Sequence, residues 1–150
     1  MIAMDSIGRK KLPHDGGSIC PTSSEGDVYF ITICCVPRGT NQLAHAAIWQ
    51  SIGETISLRE SSGDLTCLLA LAMPDHIHGL FGFPGTKPMV QVITAFKSWL
   101  ASRHGIHWQR DFFDHRLRNL ESAAEKAQYI RMNPVRAGLV ANPADWPYQR

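Results

Sequence analysis

Apolar and polar positions along the chain separate strand-like runs from helix-like stripes. The run Val28-Tyr29-Phe30-Ile31-Thr32-Ile33-Cys34-Cys35-Val36 is rich in β-branched and aromatic residues and is stopped by Pro37 and Gly39, which predicts a strand. From Asn41 to Glu54, Leu43, Ala47 and Ile48 share one side, predicting a helix that Gly53 weakens at its end. Leu65 to Met73 is a second apolar run, expected as a central strand covered on both faces. Pro74 takes the second place of the turn Met73-Pro74-Asp75-His76, where its fixed φ fits, so a strand from His76 to Phe83 should return antiparallel.

Met89 to His104 is the clearest amphipathic segment. Met89, Val92, Ile93, Phe96 and Leu100 fall on one helical stripe, Gln91, Lys97, Ser98 and Arg103 lie off it, and Gly105 closes it. Phe112 to Leu117 predicts a short strand. Ser122 and Glu125 form a capping-box pattern for a final helix, with Asn119 as a competing cap. That helix should end near Asn133, because the residue before Pro134 is pushed out of the α region. Pro134 to Ala137 allows one more turn, capped by Gly138.

The order β-α-β-β-α-β-α predicts an α+β fold: a ferredoxin-like four-stranded antiparallel sheet with helices packed on one face, plus a C-terminal helix carrying Tyr129. At 150 residues one domain is expected. It should span residues 27–150, preceded by a flexible arm over residues 1–26, where Asp15-Gly16-Gly17 and Pro21-Thr22-Ser23-Ser24 are loop chemistry. That arm has no apolar core of the kind a signal peptide needs, and no run approaches 18 apolar residues. Cys20, Cys34, Cys35 and Cys67 show neither zinc-finger spacing nor a disulfide framework. A cytoplasmic protein with reduced thiols and no membrane partner is the expectation.

The net charge is only +2. Its layout is more telling, because from Lys87 to Arg136 nine basic side chains stand against four acidic ones. Such a bias permits a nucleic-acid partner, and a solvated helix surface would explain it equally.

His76 and His78 lie at i, i+2 on a predicted strand and therefore share a face. A same-face pair is more often structural or exposed than metal-binding, but Asp75 adjoins it and offers to orient one imidazole. Tyr129 and Asn133 are one helical turn apart. By default the tyrosine is a rim aromatic and the asparagine a helix terminator. Brought together, two imidazoles and an amide fit Mg²⁺ or Mn²⁺ with open positions better than a closed zinc site. A phenol beside such an ion suits attack on a phosphodiester. No glycine-rich phosphate loop, G-x-S-x-G or paired-carboxylate signature competes.

Four separated motifs then carry a resemblance: Ala72-Met73-Pro74-Asp75-His76-Ile77-His78; Phe96-Lys97-Ser98; the run from Trp108 to Arg118; and Tyr129-Ile130-Arg131-Met132-Asn133-Pro134-Val135-Arg136-Ala137-Gly138-Leu139-Val140. In order from about Val28 to Tyr148 the chain resembles the REP-associated tyrosine transposases. These are single-tyrosine members of the HUH (His, hydrophobic, His) superfamily of single-strand DNA nucleases and transposases. The resemblance implies a metal held by His76 and His78, Tyr129 as nucleophile, and Asn133 at the place of a third, amide ligand. The chain ends soon after Trp146-Pro147-Tyr148, so a tail gripping a DNA hairpin is expected to be short or missing, and the amino-terminal arm matches no part of the family pattern.

The reading that follows is a metal-dependent single-strand DNA endonuclease and strand transferase. It would form a 5′-phosphotyrosine on hairpin-forming repeat DNA and act in the bacterial nucleoid as a monomer or homodimer. Lys97, Arg103, Arg116, Arg118, Arg131 and Arg136 are the expected phosphate contacts, and Trp99, Trp108 and Phe112 offer base-stacking surfaces, although Trp99 and Phe112 fit the core better. Two rivals stay open. One is a non-catalytic nucleic-acid binding regulator on the same fold; the other is a small metallohydrolase that leaves Tyr129 dispensable.

Overall fold

Short strands and two long helices alternate along the chain in a computed structural model that describes residues 27–150; the arm expected over residues 1–26, with Cys20, lies outside the described residues. The elements are β1 (Val28–Cys34), α1 (Ala46–Ser61), β2 (Thr66–Ala72), β3 (His76–Gly82), α2 (Met89–His104), β4 (Phe113–Arg116), α3 (Leu120–Arg131) and α4 (Asn133–Arg136). The sheet order is β2-β3-β1-β4 and every pairing is antiparallel, which is the ferredoxin-like arrangement expected from the element order.

Alternation along the strands divides the interior into two layers. Ile31 and Ile33 of β1, Ala70 and Ala72 of β2, and Ile77 and Phe81 of β3 pack against α1 and α2. Val92, Ile93, Phe96 and Leu100 supply the buried stripe of α2, each worth about 1.5–3 kcal/mol of burial. Gly105, at φ +66, ends that helix in the left-handed conformation expected of a glycine stop. The opposite layer contains Phe30, Leu69, Leu71 and Leu80 under Ala123 and Ile130 of α3. The helices therefore cover both faces rather than one. Gly79 is required between them, since a Cβ there would run into the ring of Phe81.

Three local expectations are corrected. The first helix begins at Ala46, not Asn41, and runs on to Ser61. Asn41 caps Ala44 through its side chain, and the amides of Gln42 and Leu43 both donate to the carbonyl of Pro74, so this stretch is held as a turn. Ile52 and Ile56 then continue the apolar stripe, with Gly53 inside the helix. Second, β2 is the outermost strand, not a central one. Its edge is protected because Ala70 exchanges both backbone hydrogen bonds with Arg150 while Ala72 donates to Tyr148. Third, Asn119 and not Ser122 caps α3, its Oδ1 accepting from the Ser122 amide at 2.8 Å.

Candidate active site

His76 opens β3, and His78, Thr32 and Phe30 occupy the same sheet face beneath α3. Because β3 is a central strand, both rings stand at its beginning, well inside the sheet and not at its lateral edge. The Nε2 atoms of His76 and His78 face each other at 3.2 Å. On the other side of each ring, Nδ1 is held. His76 Nδ1 donates to Asp75 Oδ1 at 2.7 Å, while His78 Nδ1 lies 3.0 Å from Thr32 Oγ1. Asp75 is fixed in turn, its Oδ2 accepting from Arg38 Nε at 2.9 Å and from the Gly39 amide at 2.8 Å. Asn133, where α3 gives way to α4, completes the convergence with Nδ2 3.5 Å from His76 Nε2.

The electrostatics keep both rings neutral. Burial, reinforced by the neighbouring His76 and by the positive charges of Arg136, Arg38 and Lys126, pushes His78 down to about 3. Burial also lowers His76, although Asp75 opposes it. For Asp75 burial pulls upward but is outweighed by the hydrogen bonds from Gly39, His76 and Arg38, which hold its carboxyl at about 2. A neutral imidazole with its Nδ1 proton committed to a carboxylate presents the Nε2 lone pair, the form a metal ligand needs.

The spacing fits the same use. Two nitrogens about 2.1 Å from one ion lie roughly 3.0 Å apart at a right angle and roughly 3.4 Å apart at a tetrahedral angle. The observed 3.2 Å falls between, and it also serves an N–H···N bond between the rings. Half a turn of the Asn133 amide exchanges its nitrogen for the carbonyl oxygen, a hard donor. Among the described residues no three His, Cys, Asp or Glu side chains cluster as ligands, and the Asn133 amide is the polar group that meets the pair on its Nε2 side.

Tyr129 lies on the last turn of α3 and is 51% exposed. Two cations flank its ring: Arg136 at 4.2 Å and Lys126 Nζ at 5.1 Å from the centroid. Arg136 also donates to the Tyr129 carbonyl at 2.7 Å. Lys126 Nζ is 4.9 Å from the ring of Phe30, which stacks on His78 at 5.3 Å. A continuous path of contacts therefore joins the imidazole pair to the tyrosine.

The basic residues singled out in the sequence divide between two sides. Arg136 is exposed and lies over the Tyr129 ring, Arg131 is exposed at the end of α3 two residues past Tyr129, and Arg118 is exposed just before the α3 cap. Arg116 pairs in register with Tyr29 on the face covered by α1 and α2, and bridges Asp27 at 3.1 Å. Arg103 stacks over Trp99 on α2 at 4.1 Å. Lys97 donates to the carbonyls of Gln109 and Arg110, and Trp108 Nε1 donates to the carbonyl of Lys97. These ties make Lys97 and Trp108 parts of the scaffold, and Phe112 is buried in the core. Thr32, Arg38 and Lys126 are site neighbours that the sequence reading did not single out. For Lys126 the signal is its i, i+3 spacing to Tyr129.

No family model matches the chain. In sequence, a Haemophilus influenzae protein named as a REP-associated tyrosine transposase is 26% identical, the alignment covering 83% of this chain and 80% of that one. The REP-associated tyrosine transposase of Escherichia coli K12 is 28% identical over 81 residues, 52% of this chain and 49% of the relative. Among solved structures, a REP-associated tyrosine transposase bound to a REP hairpin superposes with a TM-score of 0.73 at 22% identity, over 89% of this chain and 82% of the other. A Deinococcus radiodurans protein described as a transposase gives 0.51 at 17% identity, over 69% and 87%. Among the described residues no helix is long and apolar enough to cross a membrane. In sequence over most of its length, and in fold, this chain is similar to the REP-associated tyrosine transposases.

Proposed function

We propose that the chain is a metal-dependent single-strand DNA endonuclease and strand transferase acting on hairpin-forming DNA. The observation that carries this reading is the convergence of His76, His78 and Asn133, with Tyr129 one helical turn before the amide. Tyr129 Oη would attack the scissile phosphorus and the P–O3′ bond would break. The 5′-phosphate is then carried on the tyrosine, and the departing 3′-oxygen takes a proton to become a free hydroxyl. A Mg²⁺ or Mn²⁺ ion at His76, His78 and Asn133 would supply Lewis-acid polarisation of that phosphate. Asp75 and Thr32 orient the imidazoles, and Arg131, Arg136 and Lys126 present positive charge where the phosphate backbone must pass. The solved structure of a similar protein bound to a REP hairpin supports hairpin DNA as the substrate class.

The test is a panel of end-labelled hairpin oligonucleotides with single-stranded flanks, incubated with Mg²⁺ or Mn²⁺ and resolved on a denaturing gel. A protein-linked strand supports the proposal. Binding without any linked strand would favour a non-catalytic regulator, and cleavage without a linked strand a metallohydrolase using water.

A further inference from the structure

The chain that leaves α4 doubles back along the outer edge of β2 and ties two parts of the candidate active site together. Asn142 caps a 3₁₀ turn, Pro143–Asp145, that lies against α4. Trp146 follows, 8% exposed, in the buried layer of Leu71, Met73 and Ile130. Its Nε1 donates to the carbonyl of Ala72 at 2.9 Å, and the Ala72 amide donates to the carbonyl of Tyr148 at 2.9 Å. Gln149 closes the segment on itself, its Nε2 donating to the carbonyls of Pro143 and Trp146 at 2.8 Å each. Both backbone groups of Ala72 are thus held from this side. Ala72 ends β2 with Ile77 as its Cα partner, and the next residue, Met73, donates its amide to the carbonyl of His76. The grip therefore falls on the strand end that leads into the histidine pair.

At its other end the segment begins from α4, whose first residue is Asn133. A helix of four residues has too few hydrogen bonds of its own to hold a position in water. The placement of the Asn133 amide, 3.5 Å from His76 Nε2, must come from what brackets α4: α3 before it, and after it the segment pinned to Ala72. We infer that Trp146 is a positioning residue for the amide ligand: by hanging on the Ala72 carbonyl it sets the distance between Asn133 and the histidine pair. Covering the edge of β2 asks only for backbone pairing, which Tyr148 and Arg150 supply. The indole N–H is not needed for that, and it is the one directional tie between the buried ring and the strand. The inference rests on the metal-dependent reading above and extends it to a residue that touches neither the ion nor the DNA.

The experiment titrates Mn²⁺ by calorimetry, without DNA, into the full chain as wild type, Trp146→Phe, Asn133→Ala and the double variant. Trp146→Phe keeps a ring in the layer and removes the N–H; it should weaken Mn²⁺ binding about tenfold with circular dichroism unchanged. Because that loss runs through the amide, the double variant should bind within about twofold of Asn133→Ala alone. Gln149→Ala opens the half-buried clasp without touching the core, so it should show the same pattern to a smaller degree even if Trp146→Phe does not fold. Trp49→Phe trims the contact of α1 with Tyr148, whose ring centroid is 6.5 Å away, and should lower the urea midpoint while Mn²⁺ affinity stays within about twofold of wild type. Unchanged affinity in the folded variants, independent losses that multiply in the double variant, or an equal loss in Trp49→Phe would overturn the positioning role and leave the metal site standing. Mn²⁺ binding by the wild-type chain that does not depend on Asn133 would remove the amide ligand and the role of Trp146 with it.

Discussion

Asp75 Oδ1 lies 2.7 Å from Nδ1 of His76, and this contact decides which nitrogen of the ring faces the site. The carboxylate is itself locked by Arg38 and the Gly39 amide, so it acts as a fixed acceptor and not as a floating counter-charge. Asp75→Asn keeps the shape but exchanges a charged acceptor for an amide that can turn its NH₂ toward the ring. We expect divalent-ion affinity to fall about 10–100-fold with the fold retained, read by calorimetric titration of Mn²⁺ alongside circular dichroism. Unaltered affinity would mean that the pair is not a metal site. EDTA should stop cleavage by the wild-type chain, and activity surviving it would lead to the same conclusion.

The pH response of stability follows from His78. Its folded-state value is near 3, whereas an unfolded histidine titrates near 6.5, so between those values the unfolded chain binds the extra proton. Stability is therefore full above pH 6.5 and declines as pH falls below it. At pH 5 the loss assignable to this ring is about 2 kcal/mol. Urea unfolding of His78→Asn in the absence of divalent ions should show a shallower decline from pH 7 to pH 5 than wild type. Parallel declines would show that the ring is not held neutral by burial.

Much of this was legible from sequence, and the misses have physical causes. Met89–His104 was legible because its apolar stripe and Gly105 stop are local signals. The start of α1 was not, because the carbonyl of Pro74, some thirty residues on, captures the amides of Gln42 and Leu43. The same distance hid Arg38, which reaches Asp75 only because β1 and β3 pair. His76, His78, Tyr129 and Asn133 could be named from spacing, and the structure brings His76, His78 and Asn133 together. Basic residues could be counted but not sorted, since strand alternation sends Arg116 to the face opposite His78.

That sorting makes the next prediction. Arg131 is exposed at the end of α3, the helix that carries Tyr129, whereas Arg103 is committed to Trp99 on α2. Each phosphate contact to single-stranded nucleic acid contributes roughly −0.7 to the slope of log affinity against log salt. Arg131→Glu should lower affinity and make that slope shallower by about one contact, while Arg103→Glu should leave the slope unchanged. Fluorescence anisotropy of a labelled hairpin over a salt series measures both. Equal effects of the two reversals would show that charge acts through the net field of the domain, not through a strand path across α3.

The last prediction concerns the nucleophile. Free phenols are almost wholly protonated at neutral pH, so a tyrosine that attacks phosphorus needs positive charge placed in advance around its ring and its target. Arg136 and Lys126 flank the Tyr129 ring, and Lys126 spans the gap to Phe30 and thus to His78. Tyr129→Phe removes the hydroxyl alone; it should abolish the covalent strand while DNA affinity stays within about twofold. Mass spectrometry of the wild-type adduct should place the nucleotide on Tyr129 and on neither Tyr29 nor Tyr148. Lys126→Gln should slow adduct formation about tenfold or more at saturating DNA, with Lys126→Arg restoring most of it, because a cation and not a particular shape is required there. Normal strand cleavage by the Tyr129→Phe chain would hand the chemistry to water, and a Lys126→Gln chain with a normal rate would leave Arg136 as the cation that matters.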